Sequence, residues 1–269
     1  MSYRLIALDI DGTIRSNERG ISNRTRRAIR LASESGAVVT VATGRMFRSA
    51  IESTAGLGLT SPIVSFQGAH VADPATGHVL WSRPLTEELA LSALESLAGW
   101  DGVVLASIGD EAYVNMTSPW VEGYRDRNEG RVQVIGDLAP LARRGPARLV
   151  AVGEEESVRL LERRLKDSFD SRLHITRSLP TFCEMLHPEA GKHKALEWLR
   201  EHLGIGPDET IAFGNGYNDV DRLRWAGLGV AVAGAVPEVL EVADRVAPSL
   251  EEDGAAQVLE ELLDQGMIG

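Results

Sequence analysis

The sequence predicts an α/β protein: a doubly wound, mostly parallel core sheet with a second, α+β domain inserted into it. Three observations carry this. Short aliphatic runs alternate with amphipathic segments from residue 5 to about 66, the β-α-β-α-β order that winds a parallel sheet with right-handed crossovers. From Val71 the rhythm changes to hairpins mixed with helices, and from Lys192 the alternation of helix and buried strand resumes. The core domain is therefore expected to be discontinuous, residues 1–83 and 187–269, with the insert at 84–186.

The elements follow in order. Leu5 to Ile10 is apolar at five of six positions, as a strand buried on both faces requires. Asp11-Gly12 is a turn signal that stops it. A period of two would set the Asp9 and Asp11 carboxylates on one side of the extended chain. They would then stand at the carboxyl end of a central strand, where open α/β sheets bind ligands. Ser22 is suited to cap a helix to about Ser35, with Gly36 as its stop and Ala28, Ile29 and Ala32 on one face. Ala37 to Val41 is a second buried strand, ending in Ala42-Thr43-Gly44-Arg45. A helix from about Met46 to Thr54 follows, then a third strand, Pro62 to Phe66, ending at Gln67-Gly68. Val71 to Leu80 reads as a hairpin about a Pro/Gly turn, and Arg83-Pro84 as a boundary.

In the insert, Thr86 can cap a helix to about Ala98, with Leu89, Ala93, Leu94 and Leu97 facing inward. Val103 to Ile108 and Ala112 to Met116 pair across Gly109-Asp110. Ser118-Pro119 opens a short helix. Arg148 to Val152, Leu173 to Thr176 and Phe182 to Leu186 are strands, and Glu154 to Phe169 is a charged helix. Back in the core, a helix spans Lys192 to Leu203. The buried strand Thr210 to Phe213 ends in Gly214-Asn215-Gly216-Tyr217-Asn218-Asp219. A helix from Val220 to Ala226, a strand from Gly229 to Val232, a helix at Pro237 and a last helix from about Gly254 to Leu263 complete the chain.

Composition narrows the function classes. The 269 residues accommodate two domains, and 43% hydrophobic with 25% charged residues is the balance of a globular protein. A net charge of −11 argues against nucleic acid or an anionic membrane surface as partner. It leaves small anionic substrates open, because a local pocket can oppose the global sign. Cys183 is the single cysteine, so no internal disulfide can form and a cytoplasmic location is expected. Set between Phe182 and Glu184 in a strand, it reads as a small core residue rather than a nucleophile. Arg4 and Asp9 interrupt the N-terminal apolar run, so no signal peptide is expected. No run approaches the ~18 apolar residues of a membrane span.

Four polar clusters fall at predicted strand ends or a helix start: Asp9/Asp11, Thr43-Gly44-Arg45, Lys192, and Asn215 to Asp219. In a parallel sheet the strand ends share one edge, so these clusters can converge. Carboxylates with an open side suit Mg²⁺. A hydroxyl, an ammonium and helix N-terminal N–H groups suit a phosphoryl group. An Asp carboxylate can attack phosphorus. Thr43 could instead cap the next helix. Lys192 could be a solvated lysine, but a cation in a first helical turn opposes the macrodipole, and an anionic ligand accounts for it better.

Asp9-Ile10-Asp11-Gly12-Thr13, Ala42-Thr43-Gly44-Arg45, Lys192 with Ala195-Leu196, and Gly214 to Asp219 together resemble the four motifs of the haloacid dehalogenase-like hydrolases. The insert resembles the large cap of the Cof-type phosphatases. The resemblance implies that Asp9 is a nucleophile forming an aspartyl-phosphate and a Mg²⁺ ligand. Asp11 would be the acid and base, with its main-chain carbonyl toward the metal. Thr43, Gly44 and Gly12 would cradle the phosphoryl oxygens, Lys192 would neutralise them, and Asn218 would contact phosphate or the metal's waters. Asn215 and Asp219 would complete the metal site. Arg45 is expected to line the phosphate pocket, and more readily to pair with a carboxylate than to touch phosphate. The implied cap would close over the site and read the leaving group. Trp120, Tyr124, Arg125 and Arg127 are candidate contacts there, although cap surface or core is the simpler reading.

Departures from the motifs are Asn215 where the family has Asp, His193 where it prefers Gly, Gln67 where it prefers Asn, and Gly234 where it often has Asn. Asn215 removes a formal charge from the metal site and implies weaker Mg²⁺ binding. The expected function is a Mg²⁺-dependent phosphatase for a small phosphorylated metabolite such as a sugar phosphate. The alternatives are a phosphate-ligand binding protein of low activity and a phosphotransferase or phosphomutase.

Overall fold

The computed structural model describes residues 2–127 and 131–269, without the side chains of residues 126 and 127. The chain divides into two compact units, residues 1–81 with 192–269, and residues 82–191.

The first unit starts with β1 (Leu5–Leu8), buried at all four positions. Asp9 and Ile10 lie beyond its end and remain buried. The Ile10 carbonyl accepts the N–H groups of Thr13, Ile14 and Arg15, so the chain turns directly after it. That turn leaves Asp11 exposed, whereas Asp9 is buried. α1 (Asn23–Glu34) begins where the Ser22 hydroxyl accepts the Thr25 N–H at 3.0 Å, and it buries Thr25, Ala28, Ile29 and Ala32. β2 (Val38–Val41) and α2 (Phe47–Ser53) follow. β3 (Ile63–Ser65) departs from the expected parallel order. It meets the β2 side through one parallel bridge, Ala42 to Val64. Its main pairing is antiparallel to β4 (His70–Ala72), in a three-stranded sheet with β5 (Val79–Ser82). The cause is the turn at Phe66, Gln67 and Gly68, all with positive φ, which reverses the chain within three residues.

The second unit contains α3 (Glu87–Ser96), capped by Thr86 through the Leu89 N–H, and the hairpin of β6 (Val103–Ile108) with β7 (Glu111–Val114). α4 (Pro119–Arg127), β8 (Val132–Val134), β9 (Arg148–Val152), α5 (Glu155–Phe169), β10 (His174–Arg177) and β11 (Phe182–Leu186) complete it. The sheet order is β10-β11-β9-β6-β7-β8, antiparallel except for β7 with β8. Strand alternation puts Leu149, Ala151, Cys183 and Met185 into a core with Val158, Leu161 and Leu165 of α5. On the other face Val150 and Val152 pack with Trp120, Tyr124 and Phe182. The Trp120 and Tyr124 rings stack at 4.9 Å, and Arg125 pairs with Glu122 at 2.8 Å. The side chain of Arg127 lies outside the described ones.

The first unit then resumes with α6 (Lys192–His202), β12 (Thr210–Gly214), α7 (Val220–Trp225), β13 (Leu228–Ala233), α8 (Pro237–Leu240), β14 (Arg245–Ser249) and α9 (Gly254–Asp264). Five strands form an all-parallel sheet in the order β14-β13-β12-β1-β2. β14 was not expected from the sequence. It carries Pro248 and an exposed Val246, both tolerated on an edge strand. Leu8 is level with Phe213 and Val41 in the register, so three strands end side by side. Among the described residues no helix is long and apolar enough to cross a membrane.

Candidate active site

Hydrogen bonds from Asp9 N–H to the Phe213 carbonyl (3.1 Å) and from Ala42 N–H to the Leu8 carbonyl (2.9 Å) carry the sheet register one residue past β1. Asp9 therefore sits between the ends of β12 and β2. Lys192, the first residue of α6, reaches it: Nζ donates to Asp9 Oδ1 at 2.7 Å and to Asp219 Oδ1 at 2.9 Å. All three residues are buried. Asp219 Oδ2 accepts the N–H groups of Asn215 (3.0 Å) and Gly216 (3.2 Å). Its Oδ1 accepts a further bond from Arg222 Nη2 at 2.8 Å. Four donors thus occupy the Asp219 carboxylate, which acts by holding the Asn215 turn and two cations in place.

Arg222 is not singled out by the sequence reading. Its guanidinium is fully buried and also donates to the carbonyls of Phe213 and Ala42. Its Nε has no hydrogen-bond partner among the described residues. The available signal was its spacing three residues after Asp219, which puts both on one face of the turn into α7.

The two buried carboxyls titrate apart. Burial raises Asp9 from the usual 3.8 to about 6, against the pull of Lys192 and with a push from the charge of Asp219. For Asp219, burial also opposes the charge, but Arg222, Lys192 and the Asn215 N–H outweigh it, and the carboxyl lies below its usual range. One acid is a fixed anion and the other changes charge near neutrality, an arrangement typical of sites that use their acids differently.

Asn215 lies directly against the turn after β1. Its Oδ1 accepts a bond from the Thr13 hydroxyl at 3.1 Å. Gly12 has φ +82°, and a Cβ there would come within 2.3 Å of Asn215 Nδ2. Only glycine meets both conditions. Thr43 is buried, and its hydroxyl accepts the Arg45 N–H at 3.2 Å. It does not cap the next helix, since α2 starts at Phe47 with Met46 as its cap residue. A Cβ on Gly44 would fall 2.4 Å from Gln67 Nε2, and Gln67 Oε1 accepts a bond from Asn218 Nδ2 at 2.8 Å. Gln67 holds this position at φ 55°, a conformation that asparagine adopts more readily.

Asp11 stands apart. Arg45 grips its carboxylate through two bonds of 2.7 Å each, and Arg15 approaches to 3.5 Å. Arg45 also donates to the Ser49 hydroxyl at 3.1 Å. The Arg45 guanidinium is thus engaged by a carboxylate and a hydroxyl.

Asp9 Oδ2 receives no hydrogen bond among the described residues, and Asn215 Oδ1 accepts that of Thr13 and keeps a second lone pair, so these are the side-chain oxygens that could hold a cation, together with water and a ligand's own oxygens. An oxygen-only set with one carboxylate suits Mg²⁺ in kind. Among the described residues there is no cluster of three or more His, Cys, Asp or Glu placed to hold a metal. A cation here would depend on neutral oxygens and on charge brought by a ligand.

A family model described as haloacid dehalogenase-like hydrolase matches residues 6–259. The chain is 30% identical over 262 residues to 5-amino-6-(5-phospho-D-ribitylamino)uracil phosphatase YitU of Bacillus subtilis, covering 96% of each chain. It is 28% identical over 238 residues to the HMP-PP phosphatase of Serratia proteamaculans, covering 88% of this chain and 86% of that one. The crystal structure of a haloacid dehalogenase-like hydrolase from Bacteroides thetaiotaomicron superposes with a TM-score of 0.82 at 26% identity, over 97% of this chain and all of that one. With β1 flanked by β12 and β2 in a parallel sheet, Asp9, Lys192 and Asp219 gathered at its end, and the family model matched over residues 6–259, this chain belongs to the haloacid dehalogenase-like hydrolases.

Proposed function

We propose that the protein is a Mg²⁺-dependent phosphatase acting on a small phosphorylated metabolite through an aspartyl-phosphate on Asp9. The observation that carries this reading is the state of Asp9: buried at a strand end, with Oδ1 held by Lys192 and Oδ2 receiving no hydrogen bond among the described residues. A carboxylate with one oxygen tethered and one free is oriented for attack on phosphorus.

In the first step an Asp9 oxygen forms a bond to phosphorus and the bond to the leaving oxygen breaks. Asp11 gives that oxygen its proton. In the second step Asp11 takes a proton from water, whose oxygen displaces Asp9 and releases inorganic phosphate. The Lys192 ammonium offsets charge on the phosphoryl oxygens, and the Thr43 hydroxyl and the N–H of Gly44 orient them. Gly12 lets the main chain approach closely, and Asn218 with Gln67 backs the Gly44 side of the pocket. Arg45 sets the direction of Asp11 through its paired bonds. Mg²⁺ would be held by Asp9, the Asp11 carbonyl and Asn215, with Asp219 bracing the Asn215 turn, and would supply relief of the repulsion between Asp9 and the phosphoryl group.

The relatives named above make phosphorylated sugar-like and heterocyclic metabolites the first compounds to try, with 5-amino-6-(5-phospho-D-ribitylamino)uracil among them. The buried, single Cys183 suits a reducing compartment such as the cytoplasm. The test is phosphate release from a panel of phosphomonoesters, with Mg²⁺ and with chelator. Release that needs the cation and is lost in Asp9→Asn supports the reading. Undiminished release from Asp9→Asn refutes it, and tight binding without release would favour a binding protein instead.

A further inference from the structure

Four buried side chains set the electrostatics of the pocket. Asp9 and Asp219 are its acids, and Lys192 and Arg222 are its cations. With all four ionised the formal charges cancel. Asn215, which faces the same turn, adds none. Asp11 is exposed and paired with Arg45 at 2.7 Å. The oxygens left for a divalent cation therefore stand in surroundings of zero net charge. A small divalent cation gives up its water reluctantly and needs negative charge to do so. A phosphoryl group brings that charge.

We propose that Arg222 is a positioning residue which, with the neutral Asn215, leaves the free site too poor in negative charge to hold a divalent cation, so that cation and phosphoryl group bind as a cooperative pair. The proposal rests on the phosphatase reading above and names how that site is loaded. Arg222 acts through Asp219. Its bond to Oδ1 at 2.8 Å puts a second cation on the carboxylate that already holds Lys192. Its bonds to the carbonyls of Ala42 and Phe213 tie that cation to the two strands flanking Asp9. It is therefore fixed, and the pocket cannot shed its charge by moving a side chain into solvent. Linkage makes the effect reciprocal: the factor by which phosphate tightens the cation is the factor by which the cation tightens phosphate.

The test uses the full chain, Mn²⁺ followed by electron paramagnetic resonance, and inorganic phosphate as the second probe. In the unaltered protein, phosphate should tighten Mn²⁺ at least about tenfold, and Mn²⁺ should tighten phosphate by the same factor. Asn215→Asp and Arg222→Met each move the pocket one charge toward negative. Each should tighten Mn²⁺ about tenfold or more without phosphate and shrink the coupling. Arg222→Lys keeps the charge and should behave as the unaltered protein. Circular dichroism and thermal unfolding check each fold, and the near-isosteric Asn215→Asp decides the matter if Arg222→Met does not fold. Tight Mn²⁺ binding without phosphate, an unchanged coupling in Asn215→Asp, or Arg222→Lys behaving like Arg222→Met would overturn the proposal. Absence of phosphate binding at any Mn²⁺ concentration would instead overturn the phosphatase reading, and this one with it.

Discussion

Replacing Asp9 by asparagine should change how the stability of the first unit depends on pH. In the cation-free protein the Asp9 carboxyl titrates at about 6 when folded, against 3.8 as its ordinary value. Between those values the folded chain holds a proton that the unfolded chain has released, so stability falls as pH rises. The separation corresponds to about 3 kcal/mol at ~1.36 kcal/mol per pH unit. The contribution is complete below about pH 3.8 and gone above about pH 6. Asp9→Asn has no such proton. Urea unfolding of both proteins from about pH 4 to 7.5, in chelator, gives the comparison. Hydrogen exchange at the β1 amides reads the unit that contains the site. The stability of the parent minus that of Asp9→Asn should drop by about 3 kcal/mol across the range. A flat difference would mean that Asp9 is not desolvated as the structure has it. A difference that rises with pH would mean that the Lys192 contact outweighs burial, and the account of the two carboxyls would fail.

Three further outcomes follow from close packing. Gly12→Ala places a Cβ 2.3 Å from Asn215 Nδ2 at φ +82°, and should cost more than ~1 kcal/mol in urea unfolding and reduce turnover. Arg148→Met removes the cation 2.6 Å from the fully buried Glu184 and should lower stability by ~3–5 kcal/mol, whereas Arg148→Met with Glu184→Leu, which takes away the buried charge as well, should lose less in the same assay. Burial pushes the Cys183 thiol up to about 12, so iodoacetamide at pH 8 should label it only as fast as the second unit opens; prompt labelling of the native chain, read by mass, would contradict this.

Much of this was legible because it is local. Ser22 and Thr86 mark their helix starts through hydroxyls that accept an N–H three residues on. The apolar runs at Leu5, Val38 and Thr210 mark strands buried on both faces. Asp9, Lys192 and Asp219 meet because parallel strands end at one edge, a consequence of topology that alternation alone implies. β8 and β14 escaped notice because three residues, or five with a proline, carry too little pattern to mark a strand without their neighbours. β3 keeps only one parallel bridge to the β2 side and pairs mainly with β4, which was not legible because the backbone turn at Phe66 and Gln67 is made by residues that rarely adopt positive φ.

The sequence by itself determined the order of elements, the interruption of one sheet by a second module, and the residue types brought to the sheet edge. Those follow from side-chain period and turn chemistry within a few residues. Only the tertiary structure decided that Asp11 pairs with Arg45, that Asp219 is filled by four donors, and that Arg222 is a buried cation that shares Asp219 with Lys192. Each depends on groups up to about 180 residues apart competing for the same oxygens, and the outcome of such a competition is set by burial and distance, which do not exist until the chain has folded.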